Sequence, residues 1–217
     1  MKSLHFHATV WAQAGLAMLL SAALLGCSSP KPPPPMPPAA KVEPAPPPPP
    51  YVGPVLQLEQ TDRGVQIVLP SVVLFDVNKA SFNLAVAGPY LDRVAGLLNS
   101  KTTKSMLVEG HTDSDGSTAL NAELSKARAA AVADALQSRG VSASRLSNKA
   151  YGAGRPVASN ATEDGKRLNR RVEIIVLDER VENLTAGEPA ASFESAWANL
   201  KSLIDRGLVK AVPGIKS

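Results

Sequence analysis

Of the 19 prolines in this 217-residue chain, 14 fall within residues 30–54, in runs such as PPPPMPP and PAPPPPP. Proline fixes φ and lacks an amide donor, so this stretch can neither pack as a helix nor pair as a sheet. It is expected to lie extended as polyproline II. At about 3.1 Å per residue, the segment from Cys27 to Pro54 would reach roughly 80 Å when fully extended. Pro-rich runs also serve as ligands for small recognition domains, but a spacer is the simpler reading. The folded part must therefore follow Pro54, where about 160 residues remain, a normal size for one domain.

Ahead of the spacer, residues 10–26 read VWAQAGLAMLLSAALLG behind a start that carries Lys2. A short apolar run after a weakly positive start is the pattern of a secretory signal peptide, and it is near the lower limit for crossing a bilayer. It ends Leu24-Leu25-Gly26-Cys27-Ser28-Ser29, with Cys27 the only cysteine. This resembles the bacterial lipobox, whose cysteine becomes the first mature residue and carries acyl chains such as palmitate. Two or more chains hold a protein firmly, at about 0.8 kcal/mol per buried CH₂. In such lipoproteins an aspartate after the cysteine commonly retains the protein in the inner membrane. Ser28 stands there, so the resemblance implies the outer membrane with the head in the periplasm. An uncleaved anchor with an incidental cysteine is the alternative.

Beyond Pro54 the pattern alternates. Residues 65–69 (VQIVL) and 72–75 (VVLF) read as short strands. Apolar residues at helical spacing in 84–98 read as a helix, with Gly88-Pro89 delaying or kinking its start. Residues 105–109 (SMLVE) read as a strand running into Gly110-His111-Thr112-Asp113. Ser117 is a plausible N-cap for a long helix that stops before Gly140. Residues 146–152 form a weak strand and 171–177 (RVEIIVL) a strong one. The expected fold is α/β: a two-layer sandwich of one small mixed sheet against two main helices. The chain divides into a signal peptide (1–26), a Pro-rich tether (27–54), the folded domain (55–180) and an extension (181–217). In the extension, Phe193, Ala196, Trp197, Leu200 and Ile204 share one helical face, with Ser192 as cap and Gly207 as stop.

The long helix carries the first chemical clue. On a wheel of about 100° per residue, Leu120, Leu124, Ala131, Val132 and Ala135 form one stripe, and Arg128 and Asn121 fall within it. An arginine is almost never buried alone. Arg128 either pairs with an internal acid or lines a pocket that awaits one, and the nearest acidic candidate is Asp113, just before the same helix.

At these residues the chain resembles the OmpA-like, peptidoglycan-associated domain family, over roughly residues 64–177. The motifs follow in the family's order: LFDVNKA from Leu74, EGHTDSDG from Glu109, LNAELSKARAAAV from Leu120, AYGAGRPVASN from Ala150 and GKRLNRRVEI from Gly165. The resemblance implies noncovalent binding of the peptidoglycan stem peptide, mainly its diaminopimelate residue. It assigns Asp113 to the ligand's ammonium and Arg128 to its carboxylate, and has Asn78, Thr112, Asn121 and Arg170 line or brace the site. Arg170 could equally be a fold-locking ion-pair partner. Gly110 and Tyr151-Gly152 read as turn and packing residues.

Other function classes fit less well. Residues 55–180 hold 16 Lys+Arg against 14 Asp+Glu, with no basic stripe, so nucleic-acid binding is not expected. His111 lacks a glycine-flanked serine motif, and Asp113 and Asp115 are too close in sequence to flank a glycosidic bond, so no enzyme is expected. Glu109, His111, Asp113 and Asp115 alternate and in a strand would point one way, but they make an incomplete calcium loop; no metal or cofactor is expected. The expected function is an outer-membrane lipoprotein that links that membrane to the wall. The alternative is a wall-anchoring subunit of a secretion, motility or division assembly, docked through the tether or the C-terminal helix.

Overall fold

A computed structural model describes residues 50–76 and 79–207. The signal peptide, Cys27, nearly all of the tether and Asn78 lie outside the described residues, as does the side chain of Leu200. No helix among the described residues is long and apolar enough to cross a membrane.

Six strands form one mixed sheet. In chain order they are β1 (Leu56–Thr61), β2 (Gly64–Pro70), β3 (Met106–His111), β4 (Leu146–Gly152), β5 (Arg171–Leu177) and β6 (Phe193–Ser195). Their order across the sheet is β4-β3-β5-β2-β1-β6. The β3–β4 and β1–β6 pairs are parallel and the rest antiparallel. Two long helices, α2 (Leu84–Lys101) and α3 (Thr118–Gln137), cover one face, with four short ones, α1 (Ser71–Leu74), α4 (Glu163–Asn169), α5 (Val181–Thr185) and α6 (Ala198–Asp205), around them. The α/β sandwich expected from the sequence is the fold.

The core sits between sheet and helices because alternate strand residues point there. Val65, Ile67 and Leu69 of β2, Met106 and Val108 of β3, and Val172, Ile174 and Val176 of β5 meet Leu91, Val94 and Leu98 of α2 and Ala129, Val132 and Leu136 of α3. Their partners in the alternation, among them Gln66, Glu109, His111, Arg171 and Glu173, belong to the opposite face, yet all five are buried. Gly110 lets α3 approach β3 closely: a Cβ there would collide with the Ser125 carbonyl oxygen. At the far end of α3, Gly140 takes φ +89° and turns the chain, as a C-terminal glycine does.

Three sequence readings need correction. Residues 72–75 are not a strand. Pro70 pairs with Arg171, where β5 begins, so no strand backbone lies beyond it. The chain turns into α1 instead, with the Phe75 amide donating to the Ser71 carbonyl at 2.8 Å. Helix α2 contains Pro89 within its second turn rather than starting after it. The extension is not one helix from Ser192. Phe193–Ser195 adds β6 to the edge of β1, and α6 starts after Trp197, which is its N-cap residue. Trp197 and Ile204, together with Leu168, then pack on Val157 and Ala158. A backbone with a free edge to pair won over the helical period of the sequence.

Candidate functional site

Where β3 ends and α3 begins, the chain runs His111-Thr112-Asp113-Ser114-Asp115-Gly116-Ser117. The Thr112 amide still donates to the Gly152 carbonyl at 2.9 Å, and Ser117 caps α3 by accepting from the Leu120 amide at 3.1 Å. Between these fixed points the loop is held by Asn121, whose Nδ2 donates to the carbonyls of Asp113 (3.3 Å) and Asp115 (2.9 Å). The Ser114 amide donates to Asn160 Oδ1 at 3.2 Å, and Lys166 pairs with Asp115 at 2.8 Å.

This loop forms one wall of a cavity of about 720 Å³. Ser71, Val72 and Phe75 supply a second wall, Leu120, Leu124 and Arg128 of α3 a third, and Glu163 and Arg170 close it. The stripe read from α3 is rotated. Its buried face centres on Asn121, Ser125, Arg128, Ala129 and Val132, while Leu120, 61% exposed, looks into the cavity mouth. The structure brings together Thr112, Asp113, Asn121, Arg128 and Arg170 of the residues named from the sequence.

The charges in the cavity are not paired as nearest-neighbour reasoning suggests. Asp113 bonds Arg170, with Nη1 donating to Oδ2 at 2.6 Å, and Arg170 also reaches Glu163 at 2.9 Å. Burial alone would lower the Arg170 guanidinium, but its bonds to Asp113 and Glu163 outweigh that and raise it above its ordinary value. Arg128 makes no ion pair among the described residues. Its Nε donates to the Lys79 carbonyl at 3.0 Å and its guanidinium lies 5.2 Å from the centre of the Phe75 ring. Burial pulls this guanidinium below its ordinary value, with Asp113 opposing the shift and Arg170 adding to it. Such a fork presents five N–H donors and suits a carboxylate bidentately.

Two hydroxyls sharpen the picture. Among the described residues, neither Ser71 Oγ nor Thr112 Oγ1, both buried, has a hydrogen-bond partner, and both residues line this cavity. Buried polar groups are usually satisfied, and each exception asks for an explanation. Ser71 escaped the sequence reading because residues 72–75 were expected to continue a sheet.

The alternating quartet Glu109, His111, Asp113 and Asp115 does not share one face. The register shifts at Gly110/His111 and the strand then ends, so Asp113 and Asp115 line this cavity while Glu109 and His111 line another.

A model of the OmpA family matches residues 74–170. The probable lipoprotein YiaD of Escherichia coli (strain K12) is 43% identical over 116 residues, which cover 52% of this chain and 52% of that protein. The peptidoglycan-binding protein ArfA of Mycobacterium tuberculosis is 43% identical over 86 residues, covering 40% of this chain and 26% of that protein. This chain thus spans about half the length of the first relative and about a quarter of the second. Among solved structures, the cell wall anchor of the T6SS from Pseudomonas aeruginosa is similar with a TM-score of 0.52 and 32% identity, covering 56% of this chain and 87% of that one.

The unequal pairing of the two arginines can be measured. Replacing Arg128 with Met removes a desolvated cation that has no carboxylate partner here, and should change the unfolding free energy by less than about 1 kcal/mol. Replacing Arg170 with Ala strips Asp113 of its charged partner and should cost about 1–2 kcal/mol, discounted for its partial exposure. Urea denaturation checks both. A loss above about 2 kcal/mol for Arg128→Met would make that residue a structural element.

Proposed function

We propose, from the match of the OmpA family model to residues 74–170 and from the geometry of the site, that the cavity beside α3 binds the stem peptide of peptidoglycan. The observation that carries this reading is a buried guanidinium, Arg128, without an ion-pair partner among the described residues, across a cavity from the carboxylate of Asp113. The far end of a diaminopimelate side chain is a zwitterion. Its carboxylate fits the Arg128 fork and its ammonium fits Asp113, whose present partner Arg170 keeps a second acceptor in Glu163. Arg170 can therefore yield Asp113 to the ligand without being left unpaired. Ser71 Oγ and Thr112 Oγ1 have unused capacity for the ligand's polar atoms, and Leu120, Leu124 and Val72 offer apolar wall for its methylene chain.

The nature of the groups supports binding. The cavity presents opposite fixed charges and hydroxyls, and His111, the histidine among the described residues, belongs to the other face of the sheet. A serine without a base is no activated nucleophile. With Cys27 acylated and the Pro-rich segment as spacer, the head would stand off the outer membrane and grip the wall. The likeness to a cell wall anchor supports a second reading, in which this head fixes a larger envelope assembly.

The test is co-sedimentation of the protein with purified sacculi. Asp113→Ala and Arg128→Ala should each lower the bound fraction at least tenfold while circular dichroism stays native. That follows from losing a charge-assisted contact of about 1.5–3 kcal/mol. Normal sedimentation of a folded double variant would sink the reading. Separately, Cys27→Ala should move the protein from the membrane fraction to the soluble one; unchanged fractionation would remove Cys27 as the anchor.

A further inference from the structure

On the sheet face opposite the core, Glu109 of β3 stands directly across from Glu173 of β5. Like charges placed directly opposite on paired strands repel, and here both carboxylates are buried, Glu109 at 1% and Glu173 at 4% exposure. A cation is required, and two are present. Arg171, itself buried, donates through Nε to Glu173 Oε1 at 2.6 Å. Arg63, on the turn between β1 and β2, grips Glu109 with two bonds of 2.7 and 2.9 Å. The two differ in freedom: the Arg171 side chain is 4% exposed and that of Arg63 is 40% exposed.

His111 completes the group. It is buried, stacks on Tyr151 at 5.3 Å between ring centres, and neither ring nitrogen has a hydrogen-bond partner among the described residues. Its Nε2 lies 3.6 Å from Glu173 Oε2, too long for a hydrogen bond. Ligand atoms about 2.0–2.2 Å from a tetrahedral zinc ion lie about 3.3–3.6 Å from one another. The His111–Glu173 separation is that edge. One ligand atom from each of Glu109, His111 and Glu173 lies within 4.8 Å of the others, so closing the set needs a modest inward movement of a side chain. A cavity of about 670 Å³, lined also by Arg155 and Trp197, gives access.

We propose that Glu109, His111 and Glu173 form a site for a divalent transition metal of the zinc class, and that Arg63 is the internal cation that holds the site when metal is absent. One nitrogen and two carboxylates suit zinc better than calcium, which takes six to eight oxygens. Arg171 then acts as an outer partner: it keeps Glu173 Oε1 and orients Oε2 toward the metal, as second-layer hydrogen bonds do. Tyr151, whose hydroxyl donates to Glu109 Oε1 at 3.3 Å, does the same for Glu109. The metal displaces Arg63 into solvent, where Asp62 and Glu59 line the same cavity mouth. The site lies on the opposite face from the proposed wall-binding cavity and does not depend on that reading.

The experiment is calorimetric titration of chelator-stripped full-length protein with zinc chloride, paired with thermal melts. Wild type should bind one zinc at this site. Arg63→Ala removes the competitor, so it should bind at least about tenfold more tightly, melt lower than wild type without metal, and regain stability with it. His111→Gln and Glu173→Gln should each weaken binding at least about tenfold. Zinc affinity equal in wild type and His111→Gln would place the ion elsewhere and overturn the proposal. Arg63→Ala supplies an arm that survives if a buried variant fails to fold: an affinity unchanged or weakened in that variant overturns the proposal too. So does an absence of saturable binding in both wild type and Arg63→Ala.

Discussion

The close seating of α3 on β3, over a glycine that leaves no room for a side chain, governs where the chemistry of this protein stands. With Gly110 under the Ser125 carbonyl, the helix lies down on the strand end instead of riding over it. Asn121 and Arg128, about one and three turns from the Ser117 cap, are carried in beside Thr112 and Asp113. Any residue larger than glycine at 110 would lever the helix away and widen the gap across which the charges face each other. The same seating buries Arg128, and burial gives its guanidinium an appetite for an anion that it would lack in water.

Charge in this domain is sorted by face. On the helix side of the strand end, Asp113 and Arg170 form a pair with a spare carboxylate in Glu163, and Arg128 stands apart from them. On the open side, Glu109 and Glu173 are neutralised by Arg63 and Arg171. The two groups come from the same strand ends: Asp113 lies two residues beyond His111, after β3 has ended, and Arg170 directly precedes Arg171 at the start of β5. The register shift at Gly110/His111 and the end of β3 turn Asp113 away from the face that His111 occupies. Each cluster also contains a cation with freedom to move, Arg170 in one and Arg63 in the other.

Much of this was legible in the sequence. The alternation in 171–177 and the helical period in 84–98 are strongly patterned, and the structure keeps them; the long helix after Ser117 is kept too, but with its buried stripe rotated. The cation in an apolar stripe pointed either to an internal pair with Asp113 or to a pocket, and only the resemblance to the OmpA-like family implied a clamp; the cavity holds both residues. What the sequence hid were contacts set by where other strands end. The residues after Pro70 have strand propensity but no strand opposite them, so they coil and deliver Ser71 to the cavity. Phe193 has a helical neighbourhood but an open sheet edge beside it, so it pairs. Glu173 looks like an ordinary polar position in a strand, and its place across from Glu109 depends on a register that no local pattern specifies.

The central claim is that Arg128 reads a carboxylate while Asp113 holds the neighbouring ammonium. Lysine ends in an ammonium with no carboxylate beside it, whereas diaminopimelate ends in both. Calorimetric titration of the protein with two muropeptides that differ only in this residue separates the two interactions. The diaminopimelate form should bind at least about tenfold more tightly than the lysine form, as loss of one charge-assisted carboxylate contact requires, and Arg128→Met should erase that difference. Equal affinity for the two muropeptides in the wild-type protein would contradict the assignment.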